Sequence, residues 1–251
     1  MGCRTVILIS GSGSNLQAFI DTLHPEQADI VAVISNRADA YGLERAARAG
    51  IPHAVLSHRD YPDRASYDQA LAALIDSYQP ELVILAGFMR ILTPGFVNHY
   101  LGRLLNIHPS LLPKYTGLHT HQRALEAGDS EHGATVHFVT EELDGGPAIM
   151  QSHVPVLPGD TVDSLAERVR NTEHRLYPLA ASLYIEGRLR LEDGRALLDG
   201  SPLPASGLRL DQFEMEARRF RAHEIGQAKA RYISQTEYEV ASGSMRPPGE
   251  Y

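Results

Sequence analysis

Cysteine occurs once in this chain, at Cys3, which excludes an intrachain disulfide and any multi-cysteine zinc site. No apolar run approaches the ~18 residues that a membrane-spanning helix needs, and no charged-then-apolar leader precedes the first strand. Those two absences predict a cytoplasmic protein with no membrane partner. Basic charge is also scarce: 23 Lys and Arg stand against 31 Asp and Glu, giving a net charge of −8 and a pI near 5.8. Surfaces that bind nucleic acid are usually basic, so no nucleic-acid partner is expected. Four histidines, His119, His121, His132 and His137, lack ligand spacing at i, i+4 and any acidic ligand repeat, and no metal is expected. Internal repeats are missing too, and 251 residues suit one main core.

What the chain does contain is alternation. Thr5–Ser10, Ile30–Ser35, Pro52–Leu56 and Leu82–Ala86 read as short apolar strands, separated by helical periods after Asn15, over Tyr41–Ala49 and over Arg64–Tyr78. This predicts a doubly wound α/β fold with a mostly parallel central sheet and ligands at the carboxyl ends of its strands. Leu82–Ala86 is the most apolar run and is expected near the middle. Further strands are expected at 104–108, 134–139 and 147–154, with a helix from His119 to Ala127 between the first two. A long helix from Val162 to Glu186, capped by Asp160 or Thr161 and kinked at Pro178, follows. Leu189–Leu191 and Ala196–Leu198 read as a hairpin, Asp211–Lys229 as a charged surface helix, and 242–251 as disordered.

The first strand empties into Gly11, Ser12, Gly13, Ser14 and Asn15, just before a helix. Helix N-termini carry unpaired N–H groups and partial positive charge, so such a loop suits a phosphate; a tight turn without a ligand is the alternative. It lacks the third glycine of a dinucleotide fingerprint, and the second strand ends in Asn36-Arg37 where an acid would hold a ribose. A nucleotide-dependent oxidoreductase is thereby disfavoured, although Arg37 could meet a 2′-phosphate.

Asn106 and His108 alternate on one side of a strand stopped by Pro109. An amide donor and a titratable imidazole there suit action on one oxygen, with Asp144 as the carboxylate that orients or charges the ring. Thr135 and His137 share a face of the next strand, placed to support them or to line the core. The trio of amide, imidazole and carboxylate argues against a ligand-binding protein without catalysis. Gly87–Leu92 follows the central strand, where Met89, Ile91 and Leu92 could wall a flat ring, or pack in the core.

The words Ser110-Leu111-Leu112-Pro113-Lys114-Tyr115-Thr116-Gly117-Leu118-His119, Gly133–Phe138 and Leu143-Asp144-Gly145-Gly146 resemble the folate-dependent formyltransferases. The likeness runs from about Arg4 to about Pro204, with Thr116 standing where close relatives are expected to carry proline. It implies a formyltransferase-like fold with a Rossmann-like first half, spanning 1–204. A phosphate-binding half, about 1–100, and a folate and catalytic half, about 101–204, would be followed by an extension of no assigned role at 205–251. It implies transfer of a formyl group from 10-formyltetrahydrofolate to the amine of phosphoribosylglycinamide, by a monomer or weak homodimer. Asn106, His108 and Asp144 would be catalytic, and Gly11, Ser12, Gly13, Ser14, Asn15 and Glu173 would hold the acceptor. Arg64, Met89, Arg90, Ile91, Leu92, Asn106, Thr140, Glu141 and Asp144 would hold the folate. Methionyl-tRNA formyltransferase would need a further basic domain, and formyltetrahydrofolate hydrolase a regulatory domain ahead of Thr5, so both are less favoured.

Overall fold

Val6, Leu8, Val83 and Leu104 are apolar, buried and brought to one surface by strands far apart in sequence. In the computed structural model, which describes residues 2–219 and Gln227, the first half alternates as its pattern predicts. β1 (Cys3–Ile9), α1 (Ser14–Thr22), β2 (Ala28–Ser35), α2 (Gly42–Arg48), β3 (His53–Val55), α3 (Arg64–Ser77) and β4 (Leu82–Leu85) follow in turn. Next come α4 (Pro94–His99), β5 (Leu104–His108), α5 (Thr120–Glu126), β6 (Glu131–Phe138), β7 (Ala148–Pro155) and α6 (Val162–Ile185). β8 (Leu189–Glu192), β9 (Arg195–Leu198), β10 (Ser201–Pro202) and β11 (Leu208–Arg209) come last.

The main sheet has the order β11-β7-β6-β5-β4-β1-β2-β3. β6 alone runs against its neighbours, while the other adjacent pairs are parallel. The expected mostly parallel sheet is what forms. β4 lies inside it between β1 and β5, and its run of four apolar residues is buried throughout, as a strand covered on both faces requires.

Tyr67, Leu71 and Ile75 of α3 and Phe96 and Tyr100 at α4 pack onto Val6, Leu8, Ile34 and Val83. Each such fully buried side chain stabilises the fold by about 1.5–3 kcal/mol. Ile7 and Ile9 point the other way, Ile9 toward Gly42 at the start of α2. α1 packs against both α2 and α6, and its Phe19 meets Tyr177 of α6 edge-on at 5.1 Å. Because β2 lies to one side of β1 and β4 to the other, the two chain ends diverge between β1 and β4. That is where an open α/β sheet leaves room for ligands.

Three elements depart from the sequence expectation. α4 was not anticipated, although Thr93 caps it and Pro94 sits in its first turn, both helix-start signals. β11 pairs two residues with Met150 and Gln151, too few to leave a periodic trace. β10 extends the anticipated hairpin to three strands. α6 starts with a capping box between Thr161 and Ser164 and continues through Pro178. The chain divides into two units, Met1–Leu210 and Asp211–Tyr251. In the second, 211–219 is helical; the rest of the helix expected to Lys229, Gln227 apart, and the disorder expected over 242–251 lie outside the described residues.

Candidate active site

After β1 the chain turns through Ser10, Gly11, Ser12 and Gly13 into α1. Gly13 has φ 70, and a Cβ on it would run into Gly42, so the start of α2 packs directly on the loop because both residues are glycine. Arg45 of α2 donates from Nε to the Ser12 carbonyl at 2.8 Å, bringing positive charge to the back of the loop. Asn15 reaches across to α6, where its Nδ2 donates to Glu173 Oε2 at 3.0 Å. Asn15 Oδ1 is buried with no protein partner. Burial pushes the Glu173 carboxyl up, against the opposing pull of the Asn15 amide and the Arg170 guanidinium. Arg170, one turn earlier, acts electrostatically on Glu173, His174 and His121. An anion-tolerant loop, an unmatched carbonyl oxygen, a carboxyl group and a cation therefore gather at one end of α1.

The second half of the site grows from β5. His108 is buried, with its Nδ1 3.5 Å from Asp144 Oδ2 and its Nε2 2.8 Å from the Tyr115 carbonyl oxygen. Asp144 arrives on the loop after β6, whose neck is closed by the Phe138 N–H donating to the Pro147 carbonyl at 3.0 Å. A side chain at Gly146 would collide with the Phe138 carbonyl, which is why the neck needs glycine. The same Asp144 oxygen accepts the Gly117 N–H at 2.8 Å. One carboxylate thus holds the ring and clasps the loop that covers it.

Asn106 lies two residues earlier, and the buried His137 fixes its amide. His137 Nδ1 donates to the Phe138 carbonyl at 2.9 Å, and burial holds the ring below its usual pKa, in the neutral form. Its Nε2 is then an acceptor, so the group 3.1 Å away must be the Asn106 Nδ2. That amide has a second N–H left to offer a ligand. Thr135 and Gln151 brace the turn after His108: Thr135 Oγ1 donates to the Ser110 carbonyl at 2.7 Å and accepts the Leu112 N–H at 3.1 Å. Gln151 donates to the Leu112 carbonyl at 2.9 Å.

Met89–Leu92 leaves the end of β4 beside the crevice, with Met89 and Ile91 exposed, as are Leu118 and Leu143 on the two clasped loops. Large apolar side chains at the lips of a polar crevice suit a ligand with a flat ring. The other residues expected at the folate lie around this crevice wall. Arg64 stands exposed at the first position of α3, and the Arg90 guanidinium lies over the Tyr67 ring at 5.4 Å. Glu141 accepts from Asn98 of α4 at 2.5 Å, and Thr140 is half-buried in the same loop. His121 Nδ1 and His132 Nε2 hydrogen-bond at 3.1 Å, and among the described residues no three metal-ligating side chains gather. Arg37 pairs with Asp39 at 2.7 Å. A separate cleft of about 410 Å³, lined by Cys3, Glu81, Tyr184 and Leu191 among others, sits at the opposite ends of β1 and β4. Burial there pushes the Cys3 thiol up to about 11, so it stays protonated.

The formyl transferase family model matches residues 3–181. A phosphoribosylglycinamide formyltransferase of Escherichia coli is 56% identical over 209 residues, covering 82% of this chain and 99% of the relative. The chain belongs to the phosphoribosylglycinamide formyltransferase family. Within it, the solved phosphoribosylglycinamide formyltransferase of Coxiella burnetii is 50% identical with a TM-score of 0.80, covering 83% of this chain and 99% of that one. A trifunctional purine biosynthetic protein of Drosophila pseudoobscura pseudoobscura is 51% identical over 191 residues, which are 74% of this chain and 14% of that protein. The family's fold class is therefore the one read from the sequence. Among side chains that the sequence reading passed over, Arg170 had a signal in its i, i+3 spacing from Glu173 on α6. Gln151 and Ser10 had none, since only folding brings them to the site.

Proposed function

We propose that the chain transfers the formyl group of 10-formyltetrahydrofolate to the primary amine of 5-phosphoribosylglycinamide, a step of purine biosynthesis, in the cytoplasm and as a monomer or weak homodimer. The reading rests on one observation: the His108 ring, with Asp144 on one nitrogen and a displaceable carbonyl on the other, beside an Asn106 amide that has a spare N–H.

The phosphate occupies Gly11–Asn15, and Glu173 with Asn15 holds the ribosylglycinamide part. The folate ring lies along Met89–Leu92, with Thr140, Glu141 and Asp144 on its other side and Arg64 toward its tail. The neutral amine attacks the formyl carbon and a carbon–nitrogen bond forms. The former carbonyl oxygen becomes an oxyanion, stabilised by the Asn106 N–H and by His108 Nε2, which leaves Tyr115 for it. As the carbon–N10 bond breaks, the proton lost by the amine reaches N10, through a water held at Asp144 and His108. The first half of the chain, to about residue 100, supplies the phosphate loop, and 101–204 the trio. The halves share both sub-sites, since Met89–Leu92 comes from the first and Glu173 from the second. No role is assigned to 205–251.

The amine must be neutral while the imidazole works charged, so the rate against pH is bell-shaped. The direct test follows tetrahydrofolate release from 10-formyltetrahydrofolate with and without phosphoribosylglycinamide. Release only with the acceptor is the expected outcome; release without it would make the chain a hydrolase.

A further inference from the structure

Parallel strands β1 and β4 are joined by sheet hydrogen bonds as far as the Ala86 N–H, which donates to the Leu8 carbonyl at 2.9 Å. Beyond that bond the two chains separate. β1 passes through Ser10 into the phosphate loop, and β4 turns at Gly87, with φ 75, into Met89–Leu92. One side chain still spans the gap. Ser10 Oγ accepts the Met89 N–H at 2.8 Å and donates its proton to Asn36 Oδ1 at 2.5 Å. Both side chains are buried, Ser10 at 5% exposure and Asn36 at 4%.

The chemistry of the pair is directional. A serine hydroxyl has one proton, and Asn36 takes it, so the lone pairs are turned toward Met89. Asn36 is itself oriented, because its Nδ2 faces His58 Nδ1 at 3.4 Å. Without the carbonyl oxygen at 36 the Ser10 rotor would be free, and without Ser10 a backbone N–H in the crevice wall would lose its partner. At its far end the same segment is tied once more, where the Thr93 N–H donates to Asp68 Oδ2 at 2.6 Å.

We infer that Ser10, aimed by Asn36, is a positioning residue that sets the Met89–Leu92 wall of the donor pocket against the phosphate loop. The inference rests on the reading that this wall holds the formyl donor. It also accounts for the residue that ends β2: a dinucleotide fold uses an acidic side chain there to meet a ribose, whereas Asn36 turns inward to hold a hydroxyl. The expected effect is lopsided. β1 is held by strands on both sides, so losing the Ser10 hydroxyl leaves the phosphate loop in place. Met89 has left the sheet and its N–H has the Ser10 hydroxyl as its partner, so the donor wall shifts between its anchors at Phe88 and Thr93.

Steady-state kinetics with 10-formyltetrahydrofolate and phosphoribosylglycinamide separate these effects. Ser10→Ala should raise the donor KM on the order of 10-fold, the loss of one buried hydrogen bond, while the acceptor KM and kcat stay within about twofold. Ser10→Thr, which keeps the hydroxyl, should restore the donor KM, and Asn36→Ala should act in the same direction as Ser10→Ala. An unchanged donor KM, or donor and acceptor KM rising together, overturns the inference. Should Ser10→Ala not fold, Asn36→Ala carries the same comparison. Hydrogen exchange supplies a readout that needs no substrate: faster exchange over 87–92 with 4–9 unchanged is expected in either variant, and unchanged exchange over 87–92 rejects the positioning role. A wild-type chain that transfers no formyl group would refute the proposed reaction and leave that exchange result to decide on Ser10.

Discussion

The Gly11–Asn15 end of the crevice is set by strand and helix ends, whereas the trio joins Asn106 and His108 at the end of β5 to a carboxylate carried on a loop. Gly11–Gly13 is fixed by β1, the start of α1 and the packing of Gly42 against Gly13. Tyr115, Gly117, His119 and Asp144, by contrast, have φ values of 56, 77, 58 and 52. For the three that are not glycine, that region costs about 1–2 kcal/mol each. Asp144 ties the two loops together, through the Gly117 N–H and the His108 ring, while Asp129 holds the Tyr115 hydroxyl and Arg123 the Thr116 carbonyl. One half of the site is therefore placed by the sheet and helix ends alone, the other by β5 together with two loops that the Asp144 carboxylate joins. Changes in the first half should alter affinity, and changes in the second should alter turnover.

The largest effect tests the loop half. His108→Ala and Asn106→Ala should each lower kcat by ~10²- to 10³-fold, the loss expected for one oxyanion donor, with circular dichroism unchanged. Asp144 then separates orientation from clasping. Asp144→Asn keeps an oxygen for Gly117 and should lose ~10²-fold in kcat. Asp144→Ala loses the clasp as well and should also raise the donor KM.

The strand half should answer differently. Glu173→Gln should raise the acceptor KM on the order of 10-fold with kcat little changed. It should also stabilise the protein. Burial raises the Glu173 pKa above its ordinary 4.5, so the folded chain holds a proton that the unfolded chain has already released. Stability is then lost as pH rises from 4.5 through the raised value, and the ionised form at neutral pH carries the penalty. A neutral amide removes it, and Tm should rise by about 2–4 °C per kcal/mol regained.

The smallest effect concerns the His121–His132 pair, on the elements that flank the loop half. Burial, with His121 adding to it, pushes His132 from 6.5 down to about 4. The unfolded chain takes up this proton first, so stability is complete above 6.5 and is lost as pH falls toward 4. Denaturant melts across that window should show a shallower acid slope in His132→Gln, by up to ~1.4 kcal/mol per pH unit.

Much of the strand half was legible in the sequence, because its signals are local. β-branched runs, a glycine loop and a capped helix each declare themselves within about ten residues. The trio was legible as residue types, since Asn106 and His108 share a strand, but its closure onto Asp144 depends on the neck at Gly146. Ser10 was hidden because an unremarkable serine becomes informative only when β2 and β4 are laid beside β1. Arg64, Arg90 and Glu141 carry no local signal of their own: the resemblance names them, and the fold sets them at a helix start, over Tyr67 and on Asn98. β11 and α4 are short, and tertiary contacts decide segments of that length.

The measurement closest to the central claim is a double-mutant cycle on single-turnover formyl transfer, with His108→Ala and Asp144→Asn made separately and together. If Asp144 works by holding the His108 ring, the double variant should be no slower than His108→Ala alone. Multiplying losses would contradict this, by giving Asp144 a role of its own in the reaction.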